Sequence, residues 1–104
     1  MNGGYVYLIC DANSDTYKIG RTKNSVEKRL KQLQTGCSSE LFVMNTFYTQ
    51  YPNQLEQMLH FRFKNKQELN EWFRLDSQDI RNFTETCEKT NELIKMLNTE
   101  AEVY

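Results

Sequence analysis

The 104-residue sequence lacks a long apolar run, a secretion signal pattern and a paired set of cysteines. No stretch approaches the roughly 18 consecutive apolar residues of a membrane-spanning helix, and no basic segment followed by an apolar one opens the chain. Cys10, Cys37 and Cys87 are odd in number and widely spaced, which argues against a disulfide framework and against a zinc knuckle. We therefore expect an intracellular protein, cytoplasmic or nuclear, with reduced thiols.

A strong net charge is also absent, since the sum is −1, but the charges are unevenly distributed. Residues 1–66 carry nine Lys/Arg against five Asp/Glu, and residues 67–104 carry four against nine. A basic half beside an acidic segment is compatible with phosphate binding on one face of the protein. The asymmetry alone does not identify a nucleic-acid-binding protein.

Internal repeats, low-complexity tracts and linkers are missing too, and the length fits one domain. Apolar alternation predicts strands at 5–10, 16–19 and 40–48. Apolar residues at helical spacing predict helices at 24–34, from 52 onward and at 77–97, whereas 69–75 is expected to be extended or irregular. This order of elements predicts an α+β domain.

Two strand motifs, Gly4–Tyr7 and Tyr17–Gly20, contain the first candidate catalytic residues, Tyr7 and Tyr17. In a strand pair joined by a short turn, both tyrosines can project from one face of the sheet. A phenol in that position can bind a phosphate, or take a proton from water once a nearby cation favours its ionised form. Aromatic pairs in neighbouring strands are also common core packing, so the two residues alone favour a structural role.

Arg29 lies at the margin of the apolar stripe of the first predicted helix, one turn from Val26 and from Leu33. A half-buried arginine usually contacts an anion, and its planar guanidinium suits a phosphate. The structural alternative is a salt bridge to an acidic residue of the last helix, and the sequence does not decide between the two.

Glu56 has a functional and a structural interpretation. It shares a helix face with His60, four residues later, so the pair could bind a divalent cation or a phosphate. Alternatively, Glu56 forms a capping box with Asn53, and His60 is a half-buried structural histidine. A single carboxylate needs phosphate oxygens and water to complete the coordination of Mg²⁺.

Basic residues near the second motif and further along the chain are the candidates for nucleic-acid contact. Their charge suits phosphate binding, although most such clusters are solvated surface. The candidates are Lys18, Arg21, Lys23, Lys28 and Arg62.

Together these segments resemble the GIY-YIG nuclease superfamily, and within it the branch of short phage, viral and fungal meiotically up-regulated proteins. The resemblance rests on Gly4–Tyr7, Tyr17–Thr22, Glu27–Leu30, Leu55–Phe63 and Glu71–Phe73. It implies an α+β fold with a small three-stranded, mainly antiparallel sheet flanked by helices, plus a long C-terminal helix. Residues 1–76 would form the nuclease core, and residues 77–104 the C-terminal helix and tail packed on the same domain.

The resemblance further implies a metal-dependent endonuclease with DNA as the expected substrate and one Mg²⁺ or Mn²⁺ in the active site. Carried over by position, Tyr7 and Tyr17 stand for the motif tyrosines. Arg29 would stabilise charge on the phosphate, and Glu56 would bind the metal. Tyr7 is favoured for activating water, with Lys18 as a substitute base.

Three departures from the family pattern affect these assignments, and one is that the late asparagine of some relatives has no clear counterpart here, with Asn70 the nearest candidate. The second tyrosine stands one place early, so strand alternation lets either Tyr17 or Lys18 face the site, but not both. Leu33 stands where many relatives carry His or Tyr, and His60 is the expected replacement.

Two other functional classes remain open at this point. One is a catalytically weak nucleic-acid-binding module that keeps the fold, and the other is a protein-interaction module. The acidic last helix should bind DNA poorly, because its charge repels phosphates. The protein would therefore recognise a structured substrate, form a homodimer through this helix, or act with a partner protein. No membrane partner is expected.

Overall fold

The first strand of the fold, β1 (Gly4–Asp11), is an interior strand that is buried on both faces over Val6–Ile9. Val6 and Leu8 face one side, Tyr7 and Ile9 face the other, and none is more than 1% exposed. A strand that is apolar on both faces requires a covering layer on each side of its sheet. In this computed structural model the backbone is described for residues 3–103 and the side chains for residues 3–99.

The remaining elements surround this strand. The other strands are β2 (Thr16–Thr22), β3 (Leu41–Thr49), β4 (Gln67–Leu69) and β5 (Trp72–Phe73). The helices are α1 (Val26–Thr35), α2 (Pro52–Arg62), α3 (Ser77–Arg81) and α4 (Phe83–Val103), with a short 3₁₀ turn at Lys64–Lys66. The sheet order is β3-β1-β2-β5-β4, and each of these neighbouring pairs is antiparallel.

The expectation of a three-stranded sheet is wrong, because the segment at 69–75 contributes strand pairing. Trp72 and Phe73 pair with Lys18 and Tyr17 of β2, and β4 pairs in turn with β5. Asn70, at φ 54°, supplies the tight turn between these two strands. Strands of three and two residues are too short to show alternation, so the sequence pattern could not predict them.

The expected last helix is divided in two. Asp76 caps α3 through a capping box with Asp79, and the chain turns at Asn82 before α4 begins. Hydrogen bonds from the Asp79 backbone N–H and from Lys66 lower the pKa of Asp76. The helix predicted from residue 24 begins at Val26, and the side chain of Ser25 caps it.

The larger core lies between the sheet and the helix pair α2 and α4. It brings Leu55 and Leu59 of α2 against Phe83, Cys87 and Ile94 of α4, and each of these is at most 1% exposed. Burial raises the pKa of the Cys87 thiol to about 12. The acidic helix α4 is therefore part of the core through its apolar face.

The smaller core lies on the opposite side of the sheet, under α1. There Tyr7, Ile9 and Leu41 pack against Val26 and Leu30 of the helix. Within the described part of the chain, no helix combines the length and apolar character needed to cross a membrane. The intracellular location and the domain division at residue 76 stay predictions.

Replacing Ile94 by alanine tests the packing of α4. Ile94 is 1% exposed, so Ile94→Ala should reduce the free energy of unfolding by about 2–5 kcal/mol through lost burial and a cavity. Its neighbour Leu93 is 45% exposed, and Leu93→Ala should change stability by no more than about 0.5 kcal/mol. Urea unfolding followed by circular dichroism measures both, and equal small effects would contradict this packing.

Candidate active site

A cleft of about 410 Å³ lies beside β2, at the point where β5 ends. β5 pairs with Tyr17 and Lys18, and the N–H of Ile19 donates to the carbonyl of Glu71. Among the described residues no strand pairs with the next segment, 20–22, on this side. We call this space the β2-edge cleft. Its lining residues are Tyr7, Arg21, Thr22, Lys23, Arg29, Pro52, Asn53, Glu56 and Glu71.

Tyr7 reaches the cleft across the backbone of β2. It stands opposite Gly20 in the β1–β2 register, and its ring lies over that glycine. A Cβ at position 20 would collide with the ring and the hydroxyl of Tyr7. No described glycine has a positive φ, so at Gly20 the requirement is for space and not for an unusual backbone conformation.

Arg29 projects from α1 into the same cleft and contacts Tyr7 directly. Its Nε donates to the Tyr7 hydroxyl at 3.4 Å, and its Nη1 donates to Oε1 of Gln32 at 3.1 Å. Within residues 3–99 Arg29 forms no salt bridge, so the alternative of a pairing with the last helix is wrong. The rest of its guanidinium is available to an anion in the cleft.

Glu56 enters the cleft from α2 and is nearly buried, with a side chain 6% exposed. The N-cap of α2 is Tyr51 and carries no side-chain capping bond, so the capping-box interpretation of Glu56 is wrong. Instead, Oε1 of Glu56 accepts a hydrogen bond from Nη1 of Arg21 at 2.6 Å. Among the described residues no hydrogen bond reaches the second oxygen, Oε2.

The sheet register decides between Tyr17 and Lys18. Tyr17 stands opposite Cys10 and packs in the larger core, where burial, followed by the nearby Cys10 and Asp15, raises the pKa of its phenol. Lys18 stands opposite Ile9, on the face that carries Tyr7. The expectation that Tyr7 and Tyr17 project from one face is therefore wrong.

Lys18 is held by an acidic residue that the sequence reasoning did not assign to the site. Its Nζ contacts Oε1 of Glu71 at 2.7 Å and lies 5.8 Å from the ring centroid of Trp72. Glu71 lines the cleft, whereas the Lys18 side chain is only 10% exposed. The resemblance included the segment Glu71–Phe73, but it did not indicate a contact with Lys18. The two residues are more than 50 positions apart in the sequence, so no local pattern connects them.

His60 supports the edge of β2 from the side of α2. Its Nε2 is hydrogen-bonded to the carbonyl of Ile19 at 2.7 Å, and its ring lies 5.1 Å from that of Phe73. His60 is half-buried and does not line the cleft. Glu56 and His60 therefore share a helix face without forming a joint site.

The candidate phosphate contacts divide into two groups. Arg21 and Lys23 line the cleft, and Lys28 lines an adjoining depression that also includes Arg21 and Arg29. Arg62 instead lines a separate depression against α4. The structure thus gathers a basic surface beside the N-terminal half of α1 and leaves Arg62 outside it.

The oxygen donors of the cleft fit a hard divalent cation. Mg²⁺ is usually held by one or two carboxylates, with phosphate oxygens and water completing its shell. Glu56 and Glu71 line the same cleft, and Oε2 of Glu56 is not engaged by a described donor. Within residues 3–99 there is no group of three or more His, Cys, Asp or Glu side chains that could hold a metal by themselves.

Replacing Gly20 by alanine tests the contact with Tyr7. The added methyl group collides with a buried ring, so Gly20→Ala should lower the free energy of unfolding by about 1–3 kcal/mol. Gly36 has no atom within 4 Å of a Cβ, and Gly36→Ala should be neutral or stabilising by up to about 1 kcal/mol. Urea unfolding compares the two, and a neutral Gly20→Ala would show that the ring does not lie over this glycine.

A known protein-family model matches the part of the chain that forms most of the described fold. The T5orf172 domain family matches residues 4–88, which include all five strands, the first three helices and the start of α4. No curated protein and no solved structure matches the chain. The family is nuclease-related and is associated with endonuclease-like activity. Because the match covers well over half of the sequence, this chain belongs to the T5orf172 domain family.

Proposed function

We propose that this protein is a metal-dependent endonuclease that hydrolyses a phosphodiester bond of DNA in the β2-edge cleft. The observation that carries the proposal is the convergence of Tyr7, Arg29 and Glu56 from β1, α1 and α2. These three residues come from separate segments and meet where the sheet edge is open. The nuclease-related family supports the same reaction class.

Arg29 is the candidate for stabilising the reacting phosphate. It contacts Tyr7 and Gln32, and these two hydrogen bonds orient its planar donor group toward the cleft in the free protein. Donors fixed in advance at the position of developing negative charge are the most effective electrostatic catalysts. Lys23 and Lys28, both exposed, would bind neighbouring phosphates along the basic surface.

Tyr7 is the candidate for orienting the attacking water and relaying its proton. Its oxygen accepts a hydrogen bond from Arg29, so its own O–H is free to turn toward a phosphate oxygen in the cleft. The phenol oxygen would take the proton from water while its own O–H proton passes to that phosphate oxygen, so the phenol ends neutral. Lys18 is committed to Glu71, which makes it a positioning residue for that carboxylate in this proposal. Tyr17 has no contact with the cleft and takes no part.

Glu56, assisted by Glu71, would hold the Mg²⁺ or Mn²⁺ ion. The bound ion would neutralise charge on the phosphate and act as a Lewis acid. Arg21 pairs with Glu56 through one carboxylate oxygen, so it compensates a nearly buried charge in the free protein. When substrate binds, Arg21 can turn to a phosphate and release that oxygen.

Plasmid nicking with Mg²⁺, Mn²⁺ or EDTA tests the proposed activity. Arg29→Ala and Glu56→Gln should each reduce metal-dependent nicking by about 100-fold or more, which is the usual cost of losing one transition-state contact. Lys31→Ala is the matched control for Arg29, because Lys31 is an exposed cation on the same helix. Circular dichroism must show that the variants remain folded.

Nicking that is equal in wild type and both site variants would refute the assignment of the cleft. A folded wild type that binds DNA without cleaving it under either metal would refute the nuclease proposal. If such binding persisted in Glu56→Ala without added metal, the chain would be a nucleic-acid-binding module.

Arg21→Ala tests the metal site without measuring activity. Removal of Arg21 leaves Glu56 nearly buried without its cation, so the variant should be about 1–3 kcal/mol less stable in EDTA. Added Mn²⁺ should then raise the melting temperature of Arg21→Ala more than that of the wild type, since the ion replaces the lost guanidinium.

The double variant Arg21→Ala/Glu56→Gln is the control for this measurement, and it should show no Mn²⁺-dependent rise. A rise of the same size in the double variant would place the cation elsewhere and would contradict the role of Glu56.

A further inference from the structure

Two tyrosines outside the cleft form an exposed aromatic pair on the same sheet. Tyr5 is the second residue of β1 and Tyr48 is the second-to-last residue of β3, and the register places them opposite each other. Their rings are 5.4 Å apart at an interplanar angle of 70°. Tyr5 is 36% exposed and Tyr48 is 53% exposed. The sheet face that α1 partly covers thus presents two adjacent aromatic rings to solvent.

The pair is uncovered because α1 packs over the neighbouring part of the sheet and does not extend over Tyr5. The helix packs over Tyr7, Ile9 and Leu41, and its first residue, Val26, borders a depression of about 520 Å³ beside Tyr5. That volume lies within the range of about 300–1,000 Å³ that is usual for ligand sites. The aromatic pair therefore adjoins a concave surface.

The depression adjoins the β2-edge cleft. Lys23 lines both spaces, and Thr22 of the cleft stands directly opposite Tyr5 in the register. Thr22, Tyr5 and Tyr48 thus form one row across three adjacent strands. Strands are spaced by about 4.8 Å, so the pair lies about 5–10 Å from the cleft wall.

Charge distinguishes the two spaces. The β2-edge cleft contains Arg21 and Arg29, which suit a phosphate. The depression is lined by one cation, Lys23, and by one carboxylate, Glu27, so it offers no net positive charge for a phosphate. An uncharged aromatic base suits the depression better, with its phosphate at Lys23.

We propose that Tyr5 and Tyr48 form a stacking subsite for an unpaired base next to the scissile phosphate, so that the substrate is nucleic acid with a single-stranded segment. This inference rests on the proposed nuclease function and specifies its substrate class. Bases in duplex DNA are already stacked on their neighbours, whereas an unpaired base has a free face for an aromatic side chain. The ring of Tyr48 is held against Gly3 and accepts a hydrogen bond from Gln50, so little ordering accompanies binding.

The test compares a blunt duplex with the same duplex carrying a short single-stranded overhang, by fluorescence anisotropy. Ca²⁺ replaces Mg²⁺ to slow cleavage. The wild type should bind the overhang probe about 5- to 150-fold more tightly, as expected for one stacked base. Tyr5→Leu/Tyr48→Leu should lose this preference, and Tyr5→Phe/Tyr48→Phe should keep it.

Phe42→Leu is the matched control, because Phe42 is an exposed aromatic of the same strand on the opposite face. It should leave the preference unchanged. A fluorescent adenine analogue in the overhang gives a second readout that needs no variant, since stacking on a tyrosine ring should quench its emission.

Equal affinity of the wild type for both probes, or an undiminished preference in the double leucine variant, would overturn the subsite. If plasmid nicking persisted in that case, the proposed nuclease function would stand. Absence of binding to either probe together with absence of nicking would overturn both.

Discussion

The contact between the Tyr7 ring and the bare backbone of Gly20 determines how the candidate site is assembled. Tyr7 belongs to β1, an interior strand that lies one strand away from the open edge of the sheet. Because no Cβ intervenes at Gly20, the ring crosses β2 and brings its hydroxyl to the edge, where it meets Arg29. A buried residue of an interior strand thereby becomes a residue of the cleft. Tyr7 is 1% exposed, and this close packing limits where its hydroxyl can lie, which a catalytic group requires.

The cleft contains both cations and carboxylates because it lies at the edge of the sheet, where side chains from both faces meet. Arg29 arrives from the helix on one face and Glu56 from the helix on the other. In the free protein the two carboxylates are balanced by cations, Glu56 by Arg21 and Glu71 by Lys18. A buried carboxylate without a cation is costly, so a change of partner at Glu56 must exchange one positive charge for another. In the proposed mechanism, a metal ion would replace Arg21 at Glu56 while Arg21 turns to the substrate phosphate.

The sequence indicated most of the fold, because its elements carry strong local patterns. The strands β1, β2 and β3 and the helices α1 and α2 follow from alternation, helical spacing and the Pro52 start. The hairpin of β4 and β5 did not follow, since its strands are too short for a pattern and are stabilised by pairing with β2. The break between α3 and α4 was missed for a related reason. Apolar spacing continues across Asn82, and only the turn itself interrupts the helix.

The sequence by itself determined which chemical groups are available: tyrosines in two strands, an arginine at a helix margin and a glutamate with a neighbouring histidine. The tertiary structure decided which of them meet. Strand alternation fixes the relative orientation of residues within a strand, but the face that a residue shares with another strand depends on register, and this separated Tyr17 from Tyr7. Likewise Glu71, Arg21 and the Tyr5–Tyr48 pair acquire their partners only through contacts between distant segments. Such contacts depend on the packing of the whole domain, which no local pattern encodes.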